Sequence, residues 1–250
     1  MSREASLPMT PDERHAMNGE TAQKYARIAG VLFLLTIVAG GFGEAYVPSK
    51  LIVSGDAAAT AENLRTSELL FRAGFASYLV EAVCDIALSL VLYVLLKPVH
   101  KNLALLAAFF GLVSTAVFAC AQLFHFAALL FIGDADYLGT FSPDQLNTLM
   151  LLSLKISGYG GGIFMVFYGV ASVLRGYLIL RSGYLPRFLG ALLLLAGFSF
   201  ITRNFLLVLA PGYASNLFVL PMVLAVVSLA AWLLVRGVDV AKWPRNEAPA

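Results

Sequence analysis

Residues 73–96, AGFASYLVEAVCDIALSLVLYVLL, constrain the fold more than any other part of the chain. As a helix this stretch would be roughly 36 Å long, at about 1.5 Å per residue, which is enough to cross a bilayer. Glu81 and Asp85 lie near its middle, where each ionised carboxylate costs about 2.5–3.5 kcal/mol of insertion free energy. The Leu, Ile, Val and Phe residues of the stretch supply roughly 5 kcal/mol in total, which the two carboxylates would cancel. Other helices must therefore enclose Glu81 and Asp85.

Comparable apolar stretches recur along the chain, which is 60% hydrophobic and 13% charged. Short polar breaks separate them, a pattern typical of a polytopic membrane protein. We predict an all-α fold, a six-transmembrane-helix bundle with an additional short extracytoplasmic helix. The predicted spans cover about residues 26–46, 73–96, 103–132, 146–180, 188–209 and 216–235.

The sequence divides into one membrane domain, residues 25–237, and two tails. Residues 1–24 are polar and of mixed charge, and we expect a flexible cytoplasmic tail there. Residues 238–250 are expected to form a second cytoplasmic tail. In the first loop, residues 56–70 predict a helix that lies over the outer end of the bundle, with Asp56 as its N-cap. That helix is too polar to span the membrane.

The distribution of Lys and Arg predicts the orientation in the cell (inner) membrane. Eleven of these residues lie in the tails and in the second and fourth loops: Arg3, Arg14, Lys24, Arg27, Lys97, Lys101, Arg181, Arg187, Arg236, Lys242 and Arg245. Three lie in the first, third and fifth loops: Lys50, Arg65 and Arg72. We therefore expect six spans with both termini in the cytoplasm.

Polar and ionisable side chains from five predicted spans fall in one layer between the midplane and the outer surface. Glu81 and Asp85, at i and i+4, share one helix face, and two such carboxylates in a low dielectric need a cation if both are ionised. The cations expected near them are Lys155, Arg203 and protonated His125. The candidate ligand or proton pocket comprises Glu44, Tyr78, Glu81, Asp85, Gln122, His125, Lys155, Arg203 and Asn204.

A structural explanation competes with this functional one, because polar clusters also hold membrane helices together. Lys155 and Arg203 are close enough to the interface to snorkel, and Glu44 is consistent with an interfacial position. A lone membrane histidine, His125, is typical of a packing residue. We expect no metal site and no cofactor, and the two cysteines are expected to be packing residues.

The glycines of residues 158–176 are expected to pack helices closely. Gly158 and Gly162 form a GxxxG motif, and Gly162, Gly169 and Gly176 recur every seven residues on one face. Small residues in such a stripe let two helix backbones approach each other. The GYGGG run lacks the Lys-Ser/Thr ending of a phosphate-binding loop.

Four segments carry a resemblance to a known family: ARIAGVLFLLTIVAG, SGDAAATAENLRTSELLFRAG, LVLYVLLKPVHKNLALLAAFFGLV and YGVASVLRGYLILRSGYLPRFLGALLLLAG. Their order and spacing resemble the bacterial integral-membrane proteins of domain of unknown function family 4386. The resemblance covers nearly all of the chain beyond the tails and implies a six-helix membrane bundle. It implies no activity and no site residues. Arg175 departs from the pattern, which has an apolar or small residue at that position.

Three functions are consistent with the sequence. The leading hypothesis is binding or translocation of a small solute or proton through a polar pocket, with Glu81 and Asp85 as its floor and the loop helix as its cover. The second is a membrane-embedded enzyme acting on a lipid or isoprenoid, although no motif selects a reaction. The third is a non-catalytic structural component of the membrane. Membrane lipids, a small solute and a second copy of the chain are the expected partners, and nucleic acid is not.

Overall fold

The computed structural model describes residues 11–133 and 135–244, which are helical and contain no strand. The helices are α1 Pro11–Gly40, a π-helical segment Gly41–Tyr46, α2 Val47–Leu51, α3 Ala57–Thr66, α4 Glu68–Leu96, α5 Lys101–Ile132, α6 Pro143–Ser182, α7 Arg187–Leu209 and α8 Leu220–Val235. Short 3-10 turns lie at Asp136–Thr140, Pro211–Tyr213, Asn216–Val219 and Val240–Lys242.

Six helices in this part of the chain are long and apolar enough to cross a membrane. They cover Gly19–Leu51, Glu68–Leu96, Lys101–Ile132, Pro143–Ser182, Arg187–Leu209 and Leu217–Val235. The prediction of an all-α, six-span, multi-pass membrane protein is therefore confirmed. The first span is longer than predicted, because α1, the π-helical segment and α2 follow one another without a break.

The six spans form a closed ring in sequence order. α4 packs beside α1 and α5, α6 packs beside α5 and α7, and α8 packs beside both α7 and α1. Because the number of spans is even, α1 begins and α8 ends at the same face of the ring, which we call the terminal face. The opposite face, with α3 and the turn at Asp136–Thr140, is called the loop face.

The helix predicted in the first loop is present as α3 and packs on the bundle. Asp56 caps it, with the Oδ1 atom accepting a hydrogen bond of 2.8 Å from the Ala59 backbone N–H. Ala61 and Leu64 are fully buried against the ends of the spans at the loop face. α3 ends at Thr66 rather than near residue 70, and α4 starts at Glu68. The second span therefore begins about one turn earlier than the sequence indicated.

The N-terminal region differs from the expected loose tail. Residues 11–24 are the beginning of α1, and Ala22 is buried in the core at the terminal face. Polarity favoured a tail, but buried Ala22 and Ala26 give this helix an apolar contact with the bundle. The expectations for residues 1–10 and 245–250 lie outside the described residues, and the division into domains stays a prediction.

Residues 236–243, here called the C-terminal strap, fold back onto the terminal face. The Gln23 side chain accepts a hydrogen bond from the Val238 N–H at 2.9 Å and donates one to the Arg236 carbonyl at 3.0 Å. The Asp239 N–H donates to the carbonyl of Tyr184, and the Tyr184 hydroxyl donates to the Leu95 carbonyl at 2.5 Å. Burial raises the pKa of Tyr184. The strap thus connects α1 to the α6–α7 turn.

Glycines bring α6 and α7 into close contact, as predicted for Gly169 and Gly176. A Cβ atom on Gly176 would lie 2.7 Å from the carbonyl oxygen of Gly190, and the reverse distance is the same. Gly169 and Gly197 form a second crossing of this kind. Gly158 is different, because a Cβ there would meet no heavy atom within 4 Å. The packing prediction is therefore wrong for Gly158, which faces open space.

Candidate functional site

A π-helical segment, Gly41–Tyr46, carries Glu44, an exposed side chain that lines two cavities of the bundle. A π-helix has a wider turn than an α-helix and often occurs at functional sites. Here the Tyr78 hydroxyl of α4 donates a hydrogen bond of 2.7 Å to the carbonyl of Gly43. A Cβ atom on Gly43 would lie 2.9 Å from the Tyr78 ring, so glycine permits this contact. Because the first span continues to Leu51, Glu44 lies about two turns inside its end rather than at it.

The first of two neighbouring cavities, here called the polar cavity, lies toward the loop face. Its volume is about 340 Å³. Pro48 and Ile52 line it at the end of the first span, and Ser157, Gly158 and Gly161 line it from α6. Six of the predicted site residues also line it: Glu44, Tyr78, Gln122, His125, Arg203 and Asn204.

Three polar side chains of this cavity are at least nine-tenths buried. Gln122 and His125 are 7% exposed and Asn204 is 4% exposed. Gln122 Oε1, His125 Nε2 and Asn204 Oδ1 are buried atoms without a hydrogen-bond partner in the described part of the chain. A buried polar atom left in this state costs about 1–3 kcal/mol. Three residues of the cavity wall therefore carry buried polar atoms that have no hydrogen-bond partner within the described residues.

The orientation of two of these side chains is fixed by their neighbours. The His125 ring stacks on Phe71, with the ring centroids 4.5 Å apart and the planes 2° from parallel. The Tyr78 ring packs edge to face with the same imidazole, with the ring centroids 5.1 Å apart. Asn204 donates from Nδ2 to the Phe200 carbonyl at 2.9 Å, which turns its Oδ1 atom toward Gly162. These contacts hold the unpartnered atoms in place before any ligand binds.

The second cavity, here called the acidic cavity, lies deeper and has a volume of about 330 Å³. Glu44, Glu81 and Asp85 line it. A Cβ atom on Gly40 would lie 3.2 Å from Glu81 Oε1, so the absence of a side chain at Gly40 makes room for the carboxylate. Glu44 and Met165 belong to the walls of both cavities.

Arg175 is the charged residue that the sequence analysis missed as a member of this region. It is 4% exposed, and it donates a hydrogen bond of 3.2 Å to the hydroxyl of Ser89 on α4. A Cβ on Gly111 would lie 2.6 Å from the guanidinium, so this glycine leaves space for Arg175. Arg175 also attracts Asp85 electrostatically. The signal in the sequence was the arginine itself, in the middle of an otherwise apolar stretch.

The predicted single pocket is thus two cavities, and its residues are divided between them. Glu81 and Asp85 do not line the polar cavity, and their strongest electrostatic interactions with charged groups are with Glu44 and Arg175, respectively. Lys155 is exposed and lines neither cavity, so it is not the cation expected beside them. α3 contributes no residue to either wall. The functional roles of all nine residues stay predictions.

Comparison with known proteins gives a family and no activity. The family described as "Domain of unknown function (DUF4386)" matches residues 28–237. An uncharacterized protein of Archaeoglobus fulgidus is 27% identical over 157 residues, which are 62% of this chain and 78% of the relative. No solved structure matches. The match extends from the first span to the end of the sixth, and the chain therefore belongs to the DUF4386 family.

Proposed function

We propose that this membrane protein binds a small polar solute in the polar cavity, as a step in its uptake, release or detection. The proposal rests on one observation: Gln122, His125 and Asn204 line one cavity, and their Oε1, Nε2 and Oδ1 atoms are buried without a hydrogen-bond partner in the described residues. Buried polar groups in proteins are normally hydrogen-bonded to protein or ordered water. A cavity of about 340 Å³ is within the range that holds small ligands.

The chemistry of the wall indicates what kind of solute would bind. Two amide oxygens accept hydrogen bonds, and an imidazole nitrogen donates or accepts according to its tautomer. Glu44 and Arg203 add a carboxylate and a guanidinium on the same wall. A compact solute that both donates and accepts hydrogen bonds, such as a zwitterion or a polyol, would complement these groups.

Solute binding and a purely structural role predict stability changes of opposite sign when Gln122 is substituted. Gln122→Leu replaces the unpartnered amide by an apolar group of similar size. If Gln122 is kept for a solute, the variant should gain about 1–3 kcal/mol in the absence of solute, because a buried unsatisfied group is removed. If Gln122 instead holds helices together, the same variant should be less stable than the wild type.

Thermal unfolding in detergent, without solute and with glycine or glycerol, would test the proposal. We expect Gln122→Leu and Asn204→Leu to melt higher than wild type without solute, and to lose the stabilisation that a bound solute gives the wild type. Asn102→Leu, at an exposed position on the terminal face, is the matched control and should keep that stabilisation. Lower melting temperatures for both cavity variants, with solute responses equal to wild type, would refute the proposal.

A further inference from the structure

The acidic cavity has one apolar wall and one acidic wall. α8 supplies Met222 and Val223 to the apolar wall, Val219 joins them from the preceding 3-10 turn, and Val223 is 51% exposed. The apolar wall is therefore continuous with the part of α8 that faces outward. Phe164, Tyr168 and Phe200 add aromatic rings from α6 and α7. A ligand in this cavity would contact apolar and aromatic carbon on one side and carboxylates on the other.

Two carboxylates on the acidic wall lack hydrogen-bond donors. Glu81 Oε2 is buried and has no hydrogen-bond partner in the described residues. Asp85 is 7% exposed, lines the cavity, and accepts no hydrogen bond from the part of the chain that the structure describes. A carboxylate shielded from water is costly unless a cation or a hydrogen-bond donor meets it.

The charges around the cavity do not balance. Three carboxylates, Glu44, Glu81 and Asp85, line the wall. Arg175 is the buried cation that attracts Asp85, and Glu44 also faces the polar cavity, where Arg203 is on the wall. Tyr78, Cys84 and Tyr168 also interact electrostatically with Glu81, and hydroxyl and thiol groups supply no positive charge. Glu81 is left without a cation from the described residues.

We propose that the acidic cavity binds a small organic monocation, with its ammonium group at Glu81 and its apolar body against α8. The aromatic rings favour this ligand class over a hydrated metal ion, because ring faces attract organic cations. The volume of about 330 Å³ accommodates an amine with one ring or a short branched chain. The two cavities share Glu44 and Met165, but this proposal does not require that a solute bind in the polar cavity.

Benzyltrimethylammonium and neutral benzyl alcohol are suitable probes, because both carry the same ring and only the first carries a charge. Binding is measured by isothermal titration calorimetry and by the shift in melting temperature of the detergent-solubilised protein. We expect wild type to bind the cation, and Glu81→Gln to bind it more than about tenfold more weakly, because one partner of a buried charge pair is removed. Binding of benzyl alcohol should be the same in both proteins.

Two further variants make the test specific. Glu62→Gln removes an exposed carboxylate of α3 and should bind the cation as wild type does. Val226→Phe places a larger side chain on the apolar wall and so reduces the space for the ligand without changing a charge. It should also weaken cation binding. Equal cation binding by wild type and Glu81→Gln would overturn the proposal. So would the absence of cation binding by wild type together with a Glu81-dependent change in melting temperature with pH, which would mean that Glu81 holds a proton instead.

Discussion

Gly176→Ala tests whether α6 and α7 depend on backbone contact at their crossing. The new Cβ would lie 2.7 Å from the Gly190 carbonyl oxygen and 2.8 Å from the Leu194 backbone nitrogen. Optimal separations between such atoms are about 3.5–4.0 Å, so the helices must move apart by roughly 1 Å. Neither contacted atom belongs to a side chain that could rotate away, and the backbone itself has to shift.

The size of the effect follows from two opposing contributions. Overpacking typically costs about 1–3 kcal/mol, and rigid backbone contacts place this site in the upper half of that range. Alanine stabilises a helix by about 1 kcal/mol relative to glycine. The net loss in the free energy of unfolding is therefore about 1–2 kcal/mol. At roughly 2–4 °C per kcal/mol, the melting temperature should fall by about 2–8 °C.

Thermal unfolding followed by circular dichroism in detergent measures this loss. Gly158→Ala is the matched control in the same helix, because its Cβ meets open space, and its melting temperature should stay unchanged or rise. In the double variant Gly176→Ala, Gly190→Ala one separation of the helices relieves both clashes, so its loss should be smaller than the sum of the single losses. A Gly176→Ala protein as stable as Gly158→Ala would refute the reasoning.

Three other predictions follow from single contacts or from topology. Tyr78→Phe removes the donor to the Gly43 carbonyl and should cost about 1 kcal/mol, which thermal unfolding in detergent would detect. Burial raises the pKa of Tyr184, so its contribution to stability is present below the unfolded value of about 10 and is lost as pH rises further. Melting curves at alkaline pH should therefore show a steeper loss for wild type than for Tyr184→Phe, and Tyr213→Phe, at an exposed site, should behave as wild type. In a variant without the exposed Cys120, an impermeant thiol reagent added outside cells should label cysteines at two loop-face positions and not at two terminal-face positions: Ser49 and Asp136, against Asn102 and Ser182. Labelling at residue 102 would contradict the predicted orientation.

The spans could be predicted because their apolar residues, and the turn residues between them, can be read from the sequence. The fifth span was expected at residues 188–209 and is Arg187–Leu209, and the capped loop helix was also found. The start of α1 was missed, because Gln23 in its polar part hydrogen-bonds to the C-terminal strap, which is more than two hundred residues away in the sequence.

The arrangement of the site was harder to predict, because it depends on how each helix is rotated. Depth alone placed Glu81, Asp85, His125 and Asn204 in one layer, but rotation divides them between two cavities. The π-helical turn at Glu44 is a change in backbone hydrogen bonding, which hydropathy does not record. Its signal in the sequence was the group of glycines at 40, 41 and 43. The Arg175 side chain fits in space that Gly111 of α5 leaves free. The spacing of residues within α6 could not reveal this contact between two helices.

The closed ring of spans has a consequence for how the chain can be connected. Each span packs beside its predecessor, and α8 completes the ring against α1, so the order of contacts has no break. Gln23 of α1 contacts Val238 of the C-terminal strap at the terminal face, and the α4–α5 turn lies at that same face. A circular permutant that links the strap to the start of α1 and opens the chain between α4 and α5 would keep every helix pair and leave both new ends on the terminal face. The fold therefore depends on which helices are neighbours in the ring, and not on which helix comes first in the chain.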